Sequence, residues 1–262
     1  RTVDAPICAV THLQNTPKPP SLHGTATPVS AKNLATRPAG SAAPVVPPYL
    51  SDTYHWAYIN PRNVRFLDRD LVVSIIFWGN RRRLQKAAFD EISPGMTVLQ
   101  PACVYGEFSS ALARHVGAGG CLDVVDVVPI QIASCRRKLR EFSHATARLA
   151  DSKYPAGKQY DAVCCYFLLH ELPEDYKRLV VNALLASVRP GGKVIFVDYH
   201  KPHWAHPVKP VTSLIFDNLK PFAKQLWRHE IADFADRSWP VSWKKDTYFG
   251  GLFQRVVAIQ PE

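Results

Sequence analysis

The chain has 262 residues, 47% of them hydrophobic and 21% charged, the composition of a globular protein that buries a core. This excludes a wholly disordered chain and a small disulfide scaffold, and the longest apolar run, Leu71 to Trp78, is too short for a membrane-spanning helix of about 20 residues. Lys and Arg number 32 against 22 acids, a formal net charge of +10, which suits nucleic acid, an acidic membrane surface or an anionic ligand without choosing among them.

Residues 1–48 are rich in Pro, Ala, Thr and Ser and hold no acid after Asp4. Such a stretch cannot bury enough apolar area to offset its ordering entropy, so it is expected to be disordered. It resembles a leader derived from an organelle transit peptide, and equally a plain linker. The six cysteines, Cys8, Cys103, Cys121, Cys135, Cys164 and Cys165, form no C-x-x-C pair, so neither a zinc knuckle nor a thioredoxin motif is present. Several of them sit in apolar stretches, which predicts reduced, buried thiols there and a reducing compartment.

Residues 49–262 read as one domain in three parts. An N-terminal helical lid covers 49–92, with Asp52 or Asp68 as a helix cap and Pro61 separating two short helices. Leu71, Ile75, Trp78 and Leu84 fall on one face at three-to-four spacing. Residues 93–200 alternate between the two periods. Strands are expected at 97–101, 121–128, 145–151, 160–169 and 193–199, and helices at 107–116, 130–142 and 174–188, with Arg189–Gly192 as a helix stop. Residues 201–262 add an amphipathic helix over 211–236 and a hairpin of 239–244 with 252–259. This order implies an α/β, Rossmann-like fold with a doubly wound, mostly parallel seven-stranded sheet.

Ligands of such sheets bind at the carboxyl ends of the strands. The first strand ends in LQPACVYGEFS, the second in Asp126 beside Val127, the third in Asp151 beside Ser152. A strand-end acid accepts hydrogen bonds from ribose hydroxyls, although such acids are also common surface caps. With the VRPGGKVIFVDY segment, this series resembles the class I S-adenosylmethionine methyltransferase fold. In that fold the first loop usually carries an acid and several glycines. Here Gln100 replaces the acid, Ala102, Cys103 and Tyr105 fill the loop, and only Gly106 remains. Gln100, Ala102 and Gly106 should line the amino-acid end of a cofactor, and Asp126, Val127, Asp151 and Ser152 its nucleoside. A neutral Gln100 removes the charge partner of an amino group. The site has then either lost its cofactor or holds it for other chemistry.

The segments PPYLSDTYHWAYINP, LQPACVYGEFS, DVVDVVPIQIASCRRKL, FLLHELPEDYKR, PGGKVIFVDYHKP and TYFGGLFQRVVA together resemble the RquA family of rhodoquinone biosynthesis proteins, from about residue 46 to 258. That resemblance implies conversion of ubiquinone to rhodoquinone by exchange of a ring methoxy group for an amino group. S-adenosylmethionine would be the amino donor, assisted by Mn2+. Tyr49 and Tyr54, from the lid, would cover the cofactor. His170 and Glu171 follow the fourth strand and Asp198 and His200 the fifth, a donor set of the kind manganese takes. His170, His200 and Tyr105 are the expected catalytic groups, and His203 and His206 are outlying candidates for the metal. An ordinary quinone or small-molecule methyltransferase is the alternative, and a non-catalytic, membrane-associated protein is another.

Partners follow from the same reading. Arg81, Arg82, Arg83 and Lys86 follow an apolar run, as in a helix lying in a membrane interface. Phe216, Leu219, Phe222 and Leu226 repeat at helical spacing and either line a quinone tunnel or pack as core. Basic residues elsewhere are scattered, so nucleic acid is not an expected partner. The expected location is the matrix side of the mitochondrial inner membrane, with the cytoplasmic face of a bacterial membrane as the alternative. Oligomeric state is left open.

Overall fold

The computed structural model describes residues 46–54, 68, 74–154 and 158–262. The expected leader, but for its last three residues, and the predicted break at Pro61 lie outside them. One seven-stranded sheet forms the centre, in the order β3-β2-β1-β4-β5-β7-β6. Its strands are β1 (Thr97–Gln100), β2 (Cys121–Asp126), β3 (Ala145–Leu149), β4 (Tyr160–Tyr166), β5 (Val188–Tyr199), β6 (Ser242–Tyr248) and β7 (Phe253–Ile259). β1 to β5 pair in parallel, and β7 inserts antiparallel between β5 and β6.

The expected class of fold is therefore present, and its physical basis is visible in the strands. Successive residues of one strand feed opposite cores. Val98, Ala162, Cys164, Ile195 and Val197 pack on one face, and Leu99, Val163, Cys165, Val194 and Phe196 on the other. A strand covered on both faces is apolar along its buried run, as β4 is from Ala162 to Tyr166. The crossovers are α3 (Phe108–Val116), α4 (Pro129–Leu139) and α5 (Glu174–Leu185), preceded by α1 (Pro48–Thr53) and α2 (Arg81–Phe89) and followed by α6 (Lys209–Leu219). α4 starts on Pro129, whose missing N–H costs nothing there. α5 starts with Glu174 and Asp175, which complement the positive helix end.

Four expectations need correction. The segment Arg189–Gly192 does not stop a helix; it lies inside β5. Tyr160 pairs with Val188 and Ala162 with Lys193, so the intervening residues bulge out of the ladder. Gly191 takes the left-handed turn, and a side chain on Gly192 would meet the carbonyl oxygens of Arg189 at 2.8 Å and Asp161 at 3.0 Å. The helix expected over 211–236 ends at Leu219. Pro221 cannot continue it, and 3-10 turns at Ala223–Trp227 and Ile231–Phe234 follow. The shared face of Leu71, Ile75, Trp78 and Leu84 does not form. Leu71 lies outside the described residues, and Trp78 and Gly79 turn left-handed, leaving Ile75 exposed while Leu84 is buried. The first hairpin strand starts at Ser242 rather than Trp239, with Tyr248 facing Phe253. Among the described residues no helix is long and apolar enough to cross a membrane.

Candidate functional site

A cavity of about 480 Å³ opens at the carboxyl ends of the parallel strands, a size in the range of small-molecule sites. Each strand end delivers a segment to it. The loop after β1 supplies Pro101 to Tyr105, β2 Asp126 to Val128, and β3 Asp151 and Ser152. β4 supplies Phe167, His170 and Glu171, and β5 supplies Tyr199. Tyr49 and Tyr54 of α1 close one side, and α6 with the turn at 75–78 closes the other.

Asp126 organises one side of the cavity. Its Oδ2 accepts the amide of Cys103 at 2.9 Å and its Oδ1 the amide of Val128 at 2.8 Å. One carboxylate thus ties the first loop to the turn after β2. Burial pushes its pKa up to about 6, and the two amides only partly offset that. Asp151 accepts the amide of Lys153 at 3.0 Å, with the Lys153 ammonium at 3.4 Å. Ser152 is buried and its hydroxyl donates to the carbonyl of Pro101. Tyr105 lines the cavity and accepts a hydrogen bond from Gln131 at 3.0 Å. Burial holds the phenols of Tyr49, Tyr54 and Tyr105 well above their usual range, so all three remain neutral.

Gln100 and Gly106 are not in the cavity wall. Gln100 is fully buried behind the loop. Its Nε2 donates to the carbonyl of Ala102 at 2.7 Å and to Ser109 at 2.9 Å, and its Oε1 has no partner among the described residues. The amide of Gly106 donates to Asp68, and its carbonyl accepts from Lys138. Ala102 does line the cavity.

One polar cluster joins three residues expected from the sequence, His170, Glu171 and Asp198, to one that the sequence does not point to, Lys220. His170 Nδ1 lies 2.9 Å from Asp198, whose other oxygen accepts the His170 backbone amide at 3.2 Å. Lys220, at the end of α6, places its ammonium 2.9 Å from His170 Nε2 and 2.9 Å from Glu171. With the ammonium donating to Nε2, the ring must donate from Nδ1 to Asp198. Lys220 also stands over the ring of Tyr54, 5.9 Å from its centroid. The sequence separation of 50 residues and the single lysine before a proline left no motif to find.

Around this chain of charges stands an aromatic floor. Phe167 packs against Phe77, Tyr199 and Phe253, and Tyr199 against Phe216 and the His170 ring. Phe167 holds φ of 52°, an uncommon conformation for a bulky residue.

The expected metal set does not assemble. His200 leaves the cavity: its Nδ1 lies 2.9 Å from the carbonyl of Gly251 and its Nε2 2.9 Å from Lys245, in a separate shallow pocket. His203 shares that pocket, while His206 packs on Phe249. Asp198 is buried behind His170 and does not line the cavity. The Lys220 ammonium occupies the position between His170 and Glu171 that a cation would take. Among the described residues no group of three His, Cys, Asp or Glu is arranged to hold a metal ion. The reason is local: β5 ends at Tyr199, and the amide of His200 turns to the carbonyl of Leu252.

A buried Lys177 lies under the same floor. Its ammonium donates to the carbonyls of Leu172 and Phe222 and to Gln225, pinning the turn that carries His170 to the segment after α6. Desolvation pushes its pKa down to about 7.

Comparison with known proteins agrees with this layout. Residues 98–192 match the model of a methyltransferase domain. Nodulation protein S of Sinorhizobium fredii is 30% identical over 119 residues, covering 43% of this chain and 53% of that protein. Ribosomal protein L11 methyltransferase of Dechloromonas aromatica is 37% identical over 103 residues, covering 39% of this chain and 32% of that protein. The chain thus spans about half the length, or less, of these relatives. Among solved structures, an O-methyltransferase family protein from Burkholderia thailandensis superposes with a TM-score of 0.58 at 14% identity, covering 78% of this chain and 61% of that one. N-methyltransferase NodS from Bradyrhizobium japonicum WM9, in complex with S-adenosyl-l-homocysteine, gives 0.51 at 14% identity, covering 78% and 94%. The fold is that of the class I methyltransferases.

Proposed function

We propose that this chain binds S-adenosylmethionine and transfers a group from it to a quinone held in the same cavity. The observation that carries this reading is one continuous cavity with two different walls. Asp126 and Asp151, beside Ser152, supply the hydrogen-bond acceptors suited to a nucleoside, and the aromatic floor supplies a flat apolar surface. The cofactor would bring an electrophilic methyl group and an amino-acid arm. Asp126 would hold its ribose hydroxyls, and Asp151 its adenine amino group. Phe167, Tyr199 and Phe216 would stack the substrate ring. Lys220, held by Glu171 and His170, would place its positive charge at a quinone oxygen and draw electron density from the ring.

Methyl transfer is the chemistry that the comparisons support. Replacement of a ring methoxy group by the amino nitrogen of the cofactor, as in the conversion of ubiquinone to rhodoquinone, is the second reading: the ring C–N bond forms, methoxide leaves as methanol with a proton from the amine, and the donor's Cα–N bond breaks with loss of a neighbouring proton. The motifs shared with the RquA family favour it, and so does the first loop. Gln100 is neutral and turned away, so the loop offers no carboxylate to hold an amine as its ammonium. Manganese does not fit the described residues, where the Lys220 ammonium stands between His170 and Glu171.

The test is two parallel incubations of the full chain: ubiquinone with S-adenosylmethionine labelled with heavy nitrogen, and a quinol bearing a free ring hydroxyl with S-adenosylmethionine labelled in its methyl carbon. Heavy nitrogen in the recovered quinone selects amination, and heavy carbon selects methylation. Unlabelled quinone from both refutes the proposal.

A further inference from the structure

Six exposed apolar side chains stand at the mouth of the cavity. Ile75 and Ile76 lie on the helical turn at 74–76, and Val211, Leu214, Ile215 and Leu219 lie on α6. Ile75 and Leu214 keep 67% and 65% of their surface in water. On α6 the spacing of three and four residues puts the four on one stripe, while Thr212 and Phe216 pack inward. The helix is therefore apolar on two sides, and only one is covered. Ile75, Ile76, Ile215 and Leu219 also line the cavity, so the exposed patch and the cavity wall form one apolar surface. Singly scattered surface hydrophobics need no explanation, but a contiguous group at the entrance to a site does.

The polar rim of this patch is basic. α2 begins five residues after Ile76 with Arg81, Arg82 and Arg83, of which Arg82 is exposed and Arg83 lies 5.3 Å over the Tyr248 ring. α6 begins with Lys209. The acid on the outer edge of α6, Asp217, is paired with Lys224. An apolar stripe bordered by the exposed cations Arg82 and Arg83 and by Lys209 matches a helix that lies in the plane of an anionic lipid surface.

We infer that α6 and the turn at 74–76 dock the protein on an anionic bilayer, with the cavity mouth opening into the acyl region. The inference rests on the quinone reading for what enters: a substrate confined to lipid would pass along Leu219 and Ile215 without crossing water. No membrane-spanning helix is required.

The experiment is co-sedimentation of the full chain with vesicles of phosphatidylcholine alone or mixed with phosphatidylglycerol. Wild type should sediment with the anionic vesicles and release at high salt. The double variant Val211→Ser, Leu214→Ser should bind at least about tenfold more weakly, since both side chains are exposed and neither lines the cavity. Arg82→Gln should reduce the preference for phosphatidylglycerol. Titration of each variant with S-adenosylhomocysteine reports its fold and cofactor site independently of lipid. Wild type that stays in solution with both vesicles overturns the inference. So does a double variant that sediments like wild type. Light scattering covers the competing occupant: a wild-type dimer that the double variant turns to monomer, without vesicle binding, makes the patch a contact between copies and overturns docking. Vesicle binding without label transfer to the quinone retains the docking surface and refutes the substrate reading instead.

Discussion

Removing the charge of Asp126 gives the sharpest test of how the nucleoside side works. Burial raises its pKa from 3.8 to about 6, which corresponds to about 3 kcal/mol at 1.36 kcal/mol for each tenfold change. The sign follows from proton binding. The folded chain holds this proton more tightly than the unfolded one, so the stability that protonation confers is complete below about pH 4 and is lost as the pH climbs through 6. A ligand whose hydroxyls donate to Asp126 needs the carboxylate form and must expel that proton. Affinity for S-adenosylhomocysteine should therefore be level above about pH 6.5 and fall about tenfold per pH unit below 6. Asp126→Asn should be flat over the same range. It should also bind about 10²-fold more weakly at neutral pH, for two charge-assisted hydrogen bonds of about 1.5 kcal/mol each. Calorimetric titration in buffers of different ionisation enthalpy measures both the affinity and the proton released. A flat wild-type profile between about pH 5 and 7.5, or an Asn variant within about threefold of wild type, would refute the role given to Asp126.

The remaining predictions address other parts of the account. Lys220→Met leaves Glu171 buried beside His170 without its ammonium and should cost about 2–4 kcal/mol in denaturant unfolding; a loss under about 0.5 kcal/mol would show that the pair is not held as described. Gly192→Ala drives a Cβ into the backbone oxygens of Arg189 and Asp161 and should cost about 2 kcal/mol or more, whereas an unchanged midpoint would mean that the β5 bulge relaxes freely. His200→Ala should leave both cofactor affinity and turnover within about twofold, because its imidazole faces Gly251 and Lys245. Loss of metal-stimulated turnover in that variant would restore His200 to the site.

Much of the architecture was legible because the sheet demands it. Two-sided burial makes β4 a run of small and apolar residues, and a strand-end acid stands out against such runs, as Asp126 and Asp151 do. What failed to read has specific causes. The Arg189–Gly192 segment looks like a helix stop because Pro and two glycines usually are one; only pairing with Tyr160 and Ala162 turns it into a bulge. Asp198 and His200 stand at the end of the fifth strand, as His170 and Glu171 do at the end of the fourth, which points all four at one pocket. The fifth strand ends at Tyr199, and the backbone bond to Leu252 sends His200 elsewhere. Lys220 reaches His170 through tertiary packing of α6, which no local spacing encodes. Gln100 was noticed for the missing acid, but its inward turn depends on Ser109 of α3.

The most direct test of the central claim is a calorimetric titration of the full wild-type chain with S-adenosylmethionine, with Asp151→Ala titrated in parallel. The account predicts one saturable site per chain, competed by S-adenosylhomocysteine and weakened at least about tenfold by the substitution. A chain that unfolds cooperatively yet binds neither compound would contradict it and return the cavity to an apolar ligand alone.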